Sequence, residues 1–249
     1  MTARCVAPPL GTRWLGAAAL AGVMALPMLS LEAQRSPTID QFLRPGLPME
    51  IVSARKADRI AWTATERGLR NVYTAVAPGF VPVLLTKFQK DDGVPVTELS
   101  ISDDGSIVTF VRGSEPNNRG WIANANSDPR GAERDIWVAR TNGAGAWRVV
   151  EGASPVLSPD GRSILFVRDG QIHRVPVTRT GTTAAQDATL LPLIKAWGNN
   201  SGPVWSPDGS KIAFVSSRDF HSLIGIYDVA ARDLRYAAPS VDFDASPTW

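Results

Sequence analysis

One short turn motif recurs along this chain, and it constrains the fold more than any other feature. Ser158-Pro159-Asp160-Gly161 leads into Ser163-Ile164-Leu165-Phe166-Val167, and Ser206-Pro207-Asp208-Gly209 leads into Lys211-Ile212-Ala213-Phe214-Val215. Ser102-Asp103-Asp104-Gly105 leads into Ser106-Ile107-Val108-Thr109-Phe110-Val111, and a degenerate copy starts at Ser53 and reaches Arg59-Ile60-Ala61-Trp62. From Gly105 to Gly161 is 56 residues, and from Gly161 to Gly209 is 48. Such regular self-similarity is the signature of a repeat architecture. Proline presets φ, aspartate tolerates the next turn position, and glycine supplies the positive φ that closes a hairpin into a twisted sheet.

A strand precedes each turn, as in Pro155-Val156-Leu157 or Pro203-Val204-Trp205, and a β-branched, aromatic strand follows it. A third strand comes next, Gln171–Val175 or Ile224–Val229, and a less regular fourth, Thr189–Leu191 or Leu234–Tyr236. Four antiparallel strands per repeat is the plan of a β-propeller blade, which needs stacked neighbours on both faces. The expected fold is therefore all-β, with blades at about 48–90, 94–151, 153–195 and 200–240. Ala245-Ser246-Pro247-Thr248-Trp249 repeats the pattern of Ser201-Gly202-Pro203-Val204-Trp205, so a fifth blade is begun at 244–249. That strand either closes a small ring or opens the remainder of a longer propeller. The second is the expectation, since Met49-Glu50-Ile51-Val52 already gives blade 1 its own first strand. An open ring would leave one apolar face of blade 1 and one of blade 4 uncovered, which makes association with other copies an option.

Residues 1–33 read as a secretory signal peptide. Arg4 and Arg13 precede a 16-residue apolar run, Trp14–Leu29, which is interrupted by Gly16, Gly22 and Pro27 and followed by polar residues. That run is shorter than the ~20 residues needed to span a bilayer, so no stable membrane span is expected after cleavage. Residues 34–47 then form a linker or short helix. The expected location is periplasmic or extracellular, which suits a chain whose single cysteine, Cys5, lies within the leader. Lys and Arg number 26 against 24 Asp and Glu, a balance that excludes a dedicated nucleic-acid binder. One cysteine and two histidines supply too few ligands for a cysteine-rich or multi-histidine metal centre, and no cofactor is expected.

The repeats resemble those of the N-terminal WD40-like propeller of bacterial dipeptidyl-peptidase IV-like serine peptidases, in the prolyl oligopeptidase family. Leu157–Gly161 and Trp205–Gly209 are also similar to repeats of Tol-system periplasmic proteins. Asp91-Asp92-Gly93, the insertion ending at Ser127-Asp128-Pro129, Phe166–Ile172 and the run Ser201–Asp228 carry the peptidase likeness. The resemblance implies a propeller that admits peptide substrates to a C-terminal α/β-hydrolase domain bearing serine, aspartate and histidine. The chain departs from it at the nucleophile, because no Gly-x-Ser-x-Gly elbow is present. Gly198-Asn199-Asn200-Ser201-Gly202 has its serine one position late and is read as a loop. No adjacent glutamates of the kind that hold a substrate amino terminus in some relatives are found. Two functions follow: a non-catalytic propeller serving a serine peptidase, or a freestanding periplasmic propeller that binds proteins as a scaffold. A propeller enzyme acting through its central channel is the weakest class, for want of clustered acids and histidines.

The candidate site is the 22-residue stretch Gly113–Arg134 inside blade 2, far longer than an ordinary hairpin loop. It carries Glu115, Arg119, Trp121, Asp128, Arg130 and Glu133, together with Asn117 and Asn118, and is expected to contact a substrate or a partner domain. His173 is read as a surface or inter-blade residue, His221 as exposed, and Asp104, Asp160 and Asp208 as turn formers. Trp62, Trp137, Trp205, Phe110, Phe166 and Phe214 are read as core.

Overall fold

A computed structural model of the chain describes residues 38–39, 46–238 and 241–249. The expected leader lies outside the described residues, as does most of the expected linker. Fifteen strands and one short helix are present among the described residues, in four antiparallel sheets that follow chain order. Blade 1 comprises β1 (Leu47–Ser53), β2 (Arg59–Glu66), β3 (Leu69–Val76) and β4 (Val83–Leu84). Blade 2 comprises β5 (Val96–Ile101), β6 (Ile107–Gly113), β7 (Arg134–Arg140) and β8 (Ala146–Glu151). In blade 3 are β9 (Ala153–Leu157), β10 (Ser163–Arg168) and β11 (Gln171–Pro176), followed by α1 (Ala184–Ala188). Blade 4 holds β12 (Asn199–Trp205), β13 (Lys211–Ser217), β14 (Ser222–Asp228) and β15 (Asp233–Ala237).

The repeated turn works as its sequence implies, with a further role for its serine. Gly105, Gly161 and Gly209 adopt φ of 72°, 66° and 71°. Each donates its N–H to the carbonyl of the turn serine at 2.8–2.9 Å. The serine hydroxyl donates to the aspartate two residues on and accepts the N–H five residues on, as in Ser206 Oγ to Asp208 at 2.6 Å and Lys211 N to Ser206 Oγ at 2.9 Å. The hydrogen bonds from Ser206 and Ser210 lower the Asp208 carboxyl to about 2. In blade 1 this chemistry is missing, and the turn docks on its neighbour instead: Lys56 N donates to the Asp103 carbonyl at 2.8 Å.

Each first strand carries a register shift at its middle, between Pro48 and Ile51, Thr97 and Ser100, Ala153 and Val156, and Ser201 and Val204. Glu98, Ser154 and Gly202 hold the left-handed conformation there, with φ of 54°, 53° and 56°. These bulges bend the strands, and the first strands of successive blades lie against one another at the centre of the array. Ser246 repeats the conformation at φ 52°, and Trp249 Nε1 donates to the Val204 carbonyl at 3.1 Å.

The core consists of three layers between blades. Ala61, Val72 and Leu85 meet Val108, Phe110 and Ala139 between blades 1 and 2. Val111, Ile136 and Val138 meet Ile164, Phe166 and Val175 between blades 2 and 3, and Leu165 and Ile172 meet Ile212, Phe214 and Tyr227 between blades 3 and 4. One register position organises these layers. Trp62 pairs with Tyr73, Phe110 with Trp137 and Phe166 with His173, with ring centroids 5.7, 6.4 and 5.1 Å apart. The fourth pair is Phe214 with Gly225, where a Cβ would lie 2.3 Å from the phenylalanine ring.

Two local expectations are corrected. Thr189–Leu191 is not a strand; the outer place in blade 3 is held by an isolated bridge from Ile172 to Ile194. The chain is diverted by α1, capped by Thr183 and Gln186, whose Asp187 is fully buried against Arg148 and Arg179 at 2.7 Å each. The stretch 199–202, expected as loop, starts β12, because Asn199, Asn200 and Ser201 pair with Ser217, Ser216 and Val215.

Candidate functional site

Sheet order sorts the connections between strands onto two ends. The turns after the first and third strands emerge at one end; those after the second and fourth emerge at the other. The second end receives the insertion 114–133, the Arg218–His221 loop, the connectors 85–95 and 195–198, and residues 241–244. It also concentrates exposed apolar side chains: Trp121, Trp197, Phe220, Val241 and Phe243 are each more than 70% exposed. The turns of the opposite end expose Phe80 and Val81.

The six insertion residues expected at a site do not converge; the structure divides them among four places. Pro116 bridges Ile122, and Asn117 accepts from the backbone of Arg119 and Trp121 at 2.9 and 3.1 Å, forming a small hairpin that projects Arg119 and Trp121. Farther along, Asp128 and Arg130 close on each other at 2.6 Å, and this contact lowers the Asp128 carboxyl to about 2. Ala125–Pro129 and Lys90–Gly93 together line an open cleft of about 750 Å³. At the base, Glu133 pairs with Arg112, which also meets Asp92, fixing the root of the insertion to the connector between blades 1 and 2. Glu115 is exposed near the start of the insertion.

Residues outside that set tie the insertion to the centre of the array. Glu98, at the bulge of β5, accepts from Arg134 Nη2 at 2.7 Å and from the Ser154 N–H of the next blade at 2.5 Å. Burial raises the Glu98 carboxyl, and the nearby Glu115 and Glu50 charges add to this, against the opposing pull of Ser154 N–H and Arg134. Glu50 makes the equivalent clasp one blade earlier, accepting from Leu99 N at 2.8 Å. The repeat alignment holds a sign of this role: where the other bulges place Ser154, Gly202 or Ser246, blade 2 places a glutamate in a conformation that suits small residues.

Of the histidines, His173 is buried between blades on Phe166, and burial, aided by Arg168, lowers its imidazole. His221 is half-buried in its loop, its carbonyl accepting from Arg218 N at 2.8 Å. Arg218 lies over the Trp197 ring at 4.6 Å and donates to the Tyr236 hydroxyl at 3.0 Å. No group of three His, Cys, Asp or Glu placed to hold a metal occurs among the described residues. Nor, among them, is any helix long and apolar enough to cross a membrane.

No family model matches the chain, and no curated protein matches it. Solved structures do share its architecture. A prolyl endopeptidase aligns over 78% of this chain and 30% of its own, with a TM-score of 0.54 at 13% identity. A puromycin-hydrolysing peptidase from Mycobacterium tuberculosis aligns over 83% and 32%, with a TM-score of 0.51 at 15% identity. The fold is a β-propeller. TolB from Acinetobacter baumannii aligns over 77% of this chain and 44% of its own, at 20% identity and a TM-score of 0.49. This chain thus spans less than half the length of each of the three. Its four blades form an array whose ends are not joined, an open or incomplete propeller.

Proposed function

We propose that this chain is the non-catalytic propeller portion of an exported serine peptidase, and that its loop-bearing end positions peptides for a catalytic α/β-hydrolase domain outside these residues. The observation that carries the reading is the gathering of the long insertion and five exposed apolar side chains at one end of the blades. An apolar, aromatic-rich end of that kind suits a docked domain or a bound peptide. Two proteins that share the fold with TM-scores above 0.5 are peptidases, which supports the same reading. The chain contributes no acyl-transfer nucleophile motif, so its part is selection and positioning.

The test is the intact mass and fluorophosphonate reactivity of the native gene product, purified from its own cells. A species at least about twice the mass of this chain, lacking the leader and labelled by the probe, is expected. A product of this chain's own mass that takes no label overturns the reading and leaves a freestanding binding propeller. In the labelled protein, deleting residues 115–132 should change which peptides are cleaved; unchanged selection would remove the insertion from the proposed site.

A further inference from the structure

At blade 4 the loop-bearing end gathers three segments around one arginine. The connector 195–198 lies against the end of β13, where Ser216 Oγ donates to the Trp197 carbonyl at 3.2 Å. The loop after β13 folds back as Arg218 N donates to the His221 carbonyl at 2.8 Å, and Phe243 bridges Ser222 at the start of β14. Trp197, Phe220 and Phe243 are thereby brought to one neighbourhood, all three exposed. The Arg218 guanidinium lies over the Trp197 ring at 4.6 Å and the Tyr236 ring at 5.8 Å, and its Nη2 donates to the Tyr236 hydroxyl at 3.0 Å. Two rings and a hydroxyl fix the place of this charge. Nη1 packs on Gly198, where a Cβ would lie 2.1 Å away, and has no hydrogen-bond partner among the described residues.

What Arg218 lacks is an anion. On the same end, Arg112, Arg130 and Arg134 each meet a carboxylate. No ion pair joins Arg218 to a carboxylate of the described residues. Its neighbour Asp219 is exposed, and Asp242 and Asp244 hold interactions of their own. Donors remain to spare: Nη2 keeps a second N–H, and the Tyr236 hydroxyl, having accepted from Nη2, can donate its own proton. A charged donor pairs strongly with an oxyanion, and an apolar rim that excludes water preserves that strength.

We propose that this cluster is a subsite selecting peptides that carry a carboxylate beside a large apolar side chain. The carboxylate takes the donors of Arg218 and Tyr236, and the neighbouring side chain lies on the exposed rings of Trp197 and Phe220. Charge complementarity supplies the anion, and the rings supply its apolar neighbour. This inference deepens the peptidase reading and rests on it for a peptide as the occupant.

The test is calorimetric titration of the native gene product at neutral pH with acetyl-alanyl-phenylalanine and with its C-terminal amide. The free acid should bind about tenfold or more tighter, the gain of a charge-assisted hydrogen bond. Arg218→Gln should bind the amide as the wild type does and lose the preference, a result that a general loss of structure would not give. Tyr236→Phe should reduce the preference. Phe220 is 84% exposed, so Phe220→Ala keeps the fold, and it should weaken acid and amide alike. If Arg218→Gln fails to fold, that variant and the wild-type comparison of acid with amide decide. Acetyl-aspartyl-phenylalanine amide, whose carboxylate is on a side chain, tells which of the two carboxylates is read. A wild type that binds acid and amide equally, one that binds neither, or a preference that survives Arg218→Gln overturns the inference. Fluorophosphonate labelling of the same sample reports on the peptidase reading separately. A labelled protein without the preference overturns this subsite alone, and an unlabelled protein with it keeps the subsite and overturns the peptidase reading.

Discussion

Asp187→Ala tests whether blade 3 depends on its diverted outer segment. The fully buried carboxylate accepts from Arg148 and Arg179 at 2.7 Å each and from the Glu151 N–H at 3.0 Å. Removing one member of a buried ion network costs roughly 3–5 kcal/mol when its partners are left unpaired. Here the partners are partly served, since Arg148 keeps Asp135 at 2.8 Å and Arg179 keeps the Val149 carbonyl at 2.5 Å. The lower end, about 3 kcal/mol, is therefore expected. With a urea slope of about 3 kcal/mol/M for a chain of this size, the unfolding midpoint should fall by about 1 M at unchanged slope.

The pH dependence of this effect has a definite sign. Burial alone would raise the Asp187 carboxyl, but the Glu151 N–H, Arg179 and Arg148 together hold it below 3.8. A group depressed in the folded state stabilises above its unfolded value, and that contribution is lost as pH falls through the folded value. The gap between wild type and variant should thus close below about pH 4. A midpoint shift under about 0.3 M at neutral pH, or a gap that widens in acid, would refute the argument.

Gly225→Ala places a Cβ 2.3 Å from the Phe214 ring and should destabilise by about 1–3 kcal/mol through overpacking, read as a lower thermal midpoint. Because burial lowers the His173 imidazole from 6.5, the unfolded chain takes up the proton first, so stability should decline as pH falls below about 6.5 and then level off. His173→Phe should abolish that decline in paired urea titrations at pH 7 and pH 5. Ser206→Ala leaves the Lys211 N–H without its acceptor and should cost about 1–2 kcal/mol, measured by chemical denaturation.

The turns were legible because their chemistry is local. Serine, aspartate and glycine satisfy one another within five residues, so the pattern alone specifies hairpin, strand polarity and blade spacing. Blade 3 was misread at Thr189–Leu191 because Asp187 answers to Arg148, 39 residues away, and apolar alternation carries no trace of that demand. The insertion was visible as length, but its organisation was not. Glu98 reaches Arg134 across 36 residues and Ser154 across 56, and pairing at such separations is decided by the stacked blades. Glu98 could have been singled out only by aligning the bulges and noticing a large acid where serine or glycine recurs.

The recurrence of one bulge at one place in every first strand bears on how such a gene can change. Each blade leaves the chain where the next one needs it, with the same backbone conformation at Glu98, Ser154, Gly202 and Ser246. A duplication or deletion that spans one whole unit, about 50 codons, would preserve reading frame, strand polarity and both lateral contacts together. Indels that cut into the strands of a blade would strand half an interface, whereas a loop absorbs them, as the insertion 114–133 does. Selection on blade number can therefore act in whole steps, and the heritable unit of this molecule is the blade, more than the residue.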